Sequence, residues 1–166
     1  MKKTPFDTMN CSLANALEQI GDWWTLLILR EVIIGCDRFD EIQAALGIAR
    51  NILSARLVKL VDHDILSREA IAPGGKRACY RLTAKGEDLL PALLALMQWG
   101  DRWISGKGSE PMIAVEAATA RRLPRLTVNN ADGEPLGVAE IGFRAGPGAR
   151  PETRAHLDRL GRPRRG

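Results

Sequence analysis

Arg50, Asn51, Ser54, Arg56 and Lys59 stand within ten residues of one another. They interleave with Leu53, Leu57, Leu60 and Val61, which fall at i, i+4, i+7 and i+8 and so share one face of an α-helix. The polar residues are left to the other faces. Their chemistry is hydrogen bonding rather than catalysis. Arginine pairs in bidentate fashion with guanine edges and asparagine with adenine, while lysine and serine hold phosphates. A second cationic pair, Lys76-Arg77, follows the turn Pro73-Gly74-Gly75. Two cations at the tip of a hairpin reach phosphates or an adjacent minor groove.

Covalent chemistry finds no support. There is no G-x-S-x-G, H-E-x-x-H, P-loop or dinucleotide fingerprint. The histidines are His63 and His156, and neither has a local nucleophile or metal-ligand partner. Cys11, Cys36 and Cys79 are widely spaced, with no C-x-x-C and no zinc pattern. The sequence therefore calls for no enzyme, no cofactor, no metal and no catalytic residue. An ordinary amphipathic surface helix would share the periodicity of residues 50–62, so the elements around it decide the reading.

Those elements come in a definite order. Ser12 starts a helix over 12–20, and Gly21-Asp22 breaks it and caps a second over 23–34, which is apolar nearly all round and belongs in a core. A short helix, 40–46, stops at Gly47, and residues 50–62 follow after a tight turn. Residues 65–71 and 78–82 read as two strands joined by the Pro-Gly-Gly turn, with Cys79 and Arg81 on one face and Ala78, Tyr80 and Leu82 on the other. Helix, turn, helix and basic hairpin in this order predict a winged helix. Thr83 then caps a long helix, 84–104, which Pro91 can bend. Leu89, Leu93, Leu96, Met97, Gly100 and Ile104, joined by Trp99 and Trp103, give it more apolar surface than a terminal helix needs. A two-fold partner helix accounts for the excess, and a dimer would present two reading helices to successive major grooves.

The 166 residues are 45% hydrophobic, enough for one domain with a core plus an appendage. No apolar run approaches the roughly 20 residues of a membrane span, and no signal-peptide core follows Met1-Lys2-Lys3. An intracellular, cytoplasmic protein with free thiols and no membrane association is expected. Residues 1–104 carry 13 bases and 13 acids, yet the stretch from Arg50 to Arg81 has seven bases against three acids. A basic block in a neutral domain is the footprint of a phosphate-contacting face.

The run from Cys11 to Glu31, with Arg38-Phe39-Asp40-Glu41-Ile42, the stretch from Gly47 to Leu57, Tyr80-Arg81-Leu82-Thr83-Ala84-Lys85-Gly86 and Trp99-Gly100-Asp101, resembles the HxlR-type winged helix-turn-helix transcriptional regulators. The resemblance covers residues 11–104. It implies a homodimeric regulator of double-stranded DNA, with a dimer built by its first and last helices, hence by Leu13, Leu17, Leu93, Leu96, Trp99 and Trp103. It implies DNA contacts at Arg50, Asn51, Ser54 and Arg56, at Lys76 and Arg77 in the wing, and at Arg38 ahead of the helix pair; the helix pattern adds Lys59. Some members sense oxidants or electrophiles through a cysteine near the N-terminus, where this chain has Cys11. The family often has a proline after that cysteine, where this chain has Ser12. The alternative role for Cys11 is a small apolar residue packed at the dimer seam.

Beyond residue 104 the text changes. Residues 105–111 form a Gly/Ser/Pro linker, 112–145 a small β-rich extension with a turn at Asp132-Gly133, and 146–166 a flexible basic tail in which Arg162, Arg164 and Arg165 add cations. Longer relatives carry a C-x-x-C before a G-E-P-L. Here Gly133-Glu134-Pro135-Leu136 is present, with Asn129 and Asp132 at the cysteine places, which disfavours zinc. The expected fold is thus α+β: a winged helix domain over 1–104 with a long C-terminal dimerisation helix, then a small C-terminal β-element. The expected function is a sequence-specific repressor-type regulator, a homodimer on a palindromic operator, answering to an oxidant or small-molecule effector. The competing reading is an effector-binding or protein-docking winged-helix module, because fold alone does not fix function.

Overall fold

The computed structural model describes residue 6, residues 8–72 and residues 77–160. They divide into two compact units, Gln19–Leu126 and a second that takes its described residues from 1–18 and 127–166. Residues 105–111, the expected linker, fall within the first of these units.

Helix α1 is Ser12–Ile20, and α2 is Trp23–Ile33. Asp22 caps α2: its Oδ1 accepts the Thr25 N–H at 3.0 Å and its Oδ2 accepts the Thr25 hydroxyl at 2.5 Å. Helix α3 is Phe39–Leu46, and Gly47 stops it at φ +60°, a left-handed cap without a Cβ penalty. Helix α4 is Arg50–Asp62, with Leu53, Leu57 and Leu60 turned inward. Strands β1 (Leu66–Ala70) and β2 (Ala78–Leu82) pair antiparallel, with Arg68 opposite Tyr80 and Leu66 opposite Leu82. The core gathers Ile28 and Leu29 of α2, Ile42 of α3, the three leucines of α4, Ile65, Leu66 and Tyr80 of the hairpin, and Leu93. This is the winged helix, an α+β fold with a small two-stranded sheet.

The expected helix over 84–104 is three pieces. Helix α5 is Ala84–Glu87, capped by the Thr83 hydroxyl, which accepts the Gly86 N–H at 3.1 Å. Helix α6 is Leu90–Gly100, and Asp101–Ser105 continues as a wider π turn. Pro91 has no N–H to donate to the carbonyl four residues back, so the helix restarts there instead of bending.

The extension is less regular than expected. In place of strands, its described residues make isolated bridges, Val115 with Arg122 and Asn129 with Pro135. The second is closed by Asn130, whose Oδ1 accepts the Asp132 and Glu134 N–H groups at 3.0 and 2.9 Å. The tail was expected to be flexible over 146–166. Its described part instead forms α7, Pro151–Leu160, with proline and Glu152 in the first turn and Arg159 in the last. Asn10 ties the start of that helix down, accepting from Arg150 N–H at 2.8 Å and the Thr153 hydroxyl at 2.9 Å. Residues 162–166, with their three arginines, lie outside the described residues. No described helix is long and apolar enough to cross a membrane.

Candidate nucleic-acid interface

Helix α4 buries one side in the core and turns Asn51, Ser54 and Ala55 outward. Arg50 stands in its first turn, its side chain 73% exposed. Its guanidinium lies 4.7 Å from the centroid of the Phe39 ring, and Nη1 is 3.7 Å from Asp40 Oδ1. Stacking on a half-buried aromatic limits the rotamers of a long cation without hiding its donors. Such a group loses less entropy when it meets a base or phosphate.

Arg38 precedes α3. Its N–H donates to Glu41 Oε2 at 3.3 Å, and its guanidinium Nε lies 3.9 Å from Glu41 Oε1 and 4.0 Å from Asp37 Oδ1. These are loose, exposed pairs that a stronger anion can displace. Arg77, at the start of the second wing arm, is exposed. Lys76 lies outside the described residues.

Arg38, Arg50 and Arg77 line a single open groove of about 570 Å³ between the start of α3, the start of α4 and the hairpin. A fourth arginine, Arg68, joins them. Sequence reasoning counted Arg68 only in the basic block. The signal that could have found it was strand alternation, because Arg68 is paired with Tyr80 across the hairpin and both line the groove. Four guanidiniums face two carboxylates there, Asp40 and Glu41, so the groove is positive on balance.

Two predicted contacts are placed differently. Arg56 is drawn to the cap of α2, its Nε 3.1 Å from Asp22 Oδ1, and its side chain is 35% exposed. It sits on a flank of α4 away from Asn51 and Ser54, six residues on from Arg50 and so well over a right angle around the helix. Lys59 is half-buried on that same flank. Ser54 and Asn51 stay with Arg50 on the exposed side.

The residues expected to form a dimer seam also separate. Leu13, Leu17, Leu96, Trp99 and Trp103 are exposed, with Trp103 at 64%. Leu93 is buried in the protomer's own core, while Leu96 and Trp99, three and six residues further on, turn progressively out of it. Trp23 is 83% exposed at the start of α2.

Cys11 is exposed ahead of α1, while Cys36 and Cys79 are half-buried, and all three are free thiols. Partial burial, followed by the neighbouring Glu31 carboxylate, raises the pKa of the Cys36 thiol. Among the described residues no cluster of His, Cys, Asp or Glu is placed to hold a metal ion.

The sequence model of the HxlR-like helix-turn-helix family matches residues 19–107. The HTH-type transcriptional regulator Rv3095 of Mycobacterium tuberculosis H37Rv, described as uncharacterized, is 37% identical over 138 residues, 82% of this chain and 87% of the relative. The crystal structure of PA1607, described as a candidate transcription factor, superposes with a TM-score of 0.77 at 37% identity, over 87% of this chain and 99% of that one. The redox regulator HypR in its reduced form superposes with a TM-score of 0.51 at 27% identity, over 54% of this chain and 90% of that one.

Proposed function

This chain belongs to the HxlR-like helix-turn-helix family and is a transcriptional regulator of helix-turn-helix type, and we propose that it works as a homodimer on a palindromic DNA operator. Relatives in the family are regulators rather than enzymes.

The observation that carries the reading is the convergence of Arg38, Arg50, Arg68 and Arg77 on one groove beside the exposed Asn51–Ser54 face. In this reading α4 enters the major groove with Arg50, Asn51 and Ser54 toward base edges. The arginines of the hairpin and of the α3 start, with Lys76, hold the flanking phosphates. Arg56 serves the fold, as the partner of Asp22. The exposed faces of α1 (Leu13, Leu17) and of α6 and its π turn (Leu96, Trp99, Trp103) form the seam with a second copy. Leu93 supports the seam from within the core. Binding across a promoter would repress by occlusion. The reading implies a cytoplasmic protein.

The same reading gives Cys11 the role of an oxidant-responsive or electrophile-responsive thiol. Its exposure supports this, as does the similarity to a protein described as a redox regulator.

The test is fluorescence anisotropy with a duplex from the protein's own promoter region and a scrambled duplex. Both are measured at two salt concentrations, with and without diamide. The expected result is specific, salt-sensitive binding that diamide weakens in the native protein and not in Cys11→Ser. Equal affinity for both duplexes at every salt would overturn the DNA reading. Identical behaviour of native protein and Cys11→Ser under diamide would remove the thiol from it.

A further inference from the structure

A second hollow, about 320 Å³, lies within the Gln19–Leu126 unit and shares no lining residue with the arginine groove. Its walls are the end of α2 (Ile33, Ile34), one side of α6 and the irregular segment 112–123. Every lining residue is apolar except Arg30. That volume is at the small end of the range for ligand pockets, roughly 300–1,000 Å³, which suits a single ring or a short chain. Met97 and Met112 line it, and unbranched thioethers adapt to an irregular occupant and make favourable contacts with rings.

Arg30 is held in place. Its Nε donates to Glu31 Oε1 at 2.9 Å, and its Nη2 makes a shorter bond to the same oxygen. Glu31 is only 3% exposed, so a buried carboxylate sets the orientation of the guanidinium. These bonds take two of its five N–H donors and leave the Nη1 amino group for another oxygen. An apolar hollow with one oriented guanidinium selects a molecule with an apolar body and an oxygen anion at one end. The Arg30–Glu31 pair is formally neutral, so the head group gains charge-assisted, directional hydrogen bonds more than long-range attraction. The segment that closes the hollow is tied to its flank, where Arg122 pairs with Glu110 at 3.2 Å. Within it, Leu123 N–H donates to Ala114 O at 2.9 Å and Val115 bridges to Arg122.

We propose that this hollow is an effector site for a small aromatic or medium-chain carboxylic acid, with the carboxylate on Arg30 and the apolar body between α6 and residues 112–123. Its consequence for regulation rests on the DNA reading above. The end of α2 runs through Asp37 and Arg38 into α3, and Asp37 O accepts the Tyr80 N–H of the hairpin at 2.7 Å. Arg38 also bridges to Cys79. A ligand pressing on Ile33 and Ile34 therefore acts on the segment that fixes both the helix pair and the wing. It shifts their balance of positions only by its differential affinity for them.

The test uses the full chain with 13C-labelled methionine methyl groups, titrated with octanoate below its micellar concentration and, separately, with octan-1-ol. Saturable shifts of the Met97 and Met112 methyls, with Met9 unmoved, are expected, and octanoate should bind about tenfold tighter than the alcohol. Arg30→Lys keeps a charge beside Glu31 but loses the planar donors, so it should erase that tenfold preference. Ala114→Phe puts a ring into the hollow without removing a core side chain, and should abolish the shifts while melting like the native protein. Shifts spread over all methionines, no saturation, or undiminished binding by Ala114→Phe would each overturn the proposal. So would dissociation of an oligomer by Ala114→Phe in sedimentation, since a second copy would then fill the hollow. The titration contains no DNA. A missing methyl response with intact operator binding removes the site alone, and a methyl response without operator binding removes the DNA reading alone.

Discussion

At the scale of single residues, the proposed reading divides the polar side chains on and around α4 into three groups. Arg50 and Asn51 are exposed where α4 begins, and their predicted partners are base edges. Arg50→Ala or Asn51→Ala should cost about 1–3 kcal/mol of discrimination between operator and scrambled duplex. Arg68→Ala and Arg77→Ala should instead weaken binding to both duplexes equally and reduce the slope of log K against log salt by about one. Anisotropy titrations at several salt concentrations distinguish the two patterns. Arg56 belongs to neither group. Paired with the Asp22 cap and about one-third exposed, it should contribute only about 0.5–1 kcal/mol to stability, lowering Tm by a few degrees in Arg56→Ala and leaving operator preference intact. A changed preference in that variant would return Arg56 to the DNA face. The periodicity of α4 identified the inward leucines but not the pairing of Arg56, because which flank a polar residue takes depends on a neighbour as distant in sequence as Asp22. The thiols can be ranked the same way. Cys36, its pKa raised, carries less thiolate at a given pH than an ordinary thiol, so near pH 8 iodoacetamide should modify exposed Cys11 well before Cys36. Mass spectrometry of timed samples reads the order.

At the scale of elements, the junction between hairpin and α5 is the tightest point. Gly86 is buried, and a Cβ there would run into the Ile65 carbonyl oxygen and crowd Leu82. Backbone cannot move aside as a side chain end does. Gly86→Ala should therefore destabilise by about 3 kcal/mol or more, seen as a large fall in the urea midpoint. A near-native midpoint would mean that α5 can shift away from Ile65 at little cost. In the sequence this glycine stood only at the end of the stretch from Tyr80 to Gly86, because close approach of two backbones is a tertiary fact. The elements with strong local signals were legible: Asp22 before α2, Gly47 after α3, the leucine spacing of α4 and the hairpin strands were read within a residue or so of their observed ends. Elements whose composition and position pulled in opposite directions were not. The Gly, Pro and Arg content of the tail hid α7, whose proline, glutamate and late arginine are ordinary helix signals in order. Pro91 was visible, but its effect on a nominal single helix depended on the turn at Asp88 and Leu89 that absorbs the break.

At the scale of the whole molecule, the argument turns on the apolar surface left beyond the core. Leu96, Trp99, Trp103 and Ile104 are all more than half exposed on α6 and its π turn, more large apolar side chains than one short stretch of a monomer ordinarily leaves in water. A second copy covering them would set two α4 helices at a fixed spacing, and a two-fold operator needs about one helical turn, roughly 34 Å, between half-sites. The variant Leu96→Asp/Trp99→Asp places charge in that seam without touching Leu93, which the core needs. It should sediment as a monomer at concentrations where the native chain is a dimer, and keep its Tm within the few degrees that loss of the partner allows. Its operator affinity should fall by well over tenfold, because the second half-site is no longer delivered by the first. The salt dependence adds a stricter requirement. Each protomer displaces its own counterions, so the slope of log K against log salt should drop to about half of the native value. A monomeric variant with the full slope would mean that one protomer carries all the phosphate contacts, which would separate dimer formation from DNA reading.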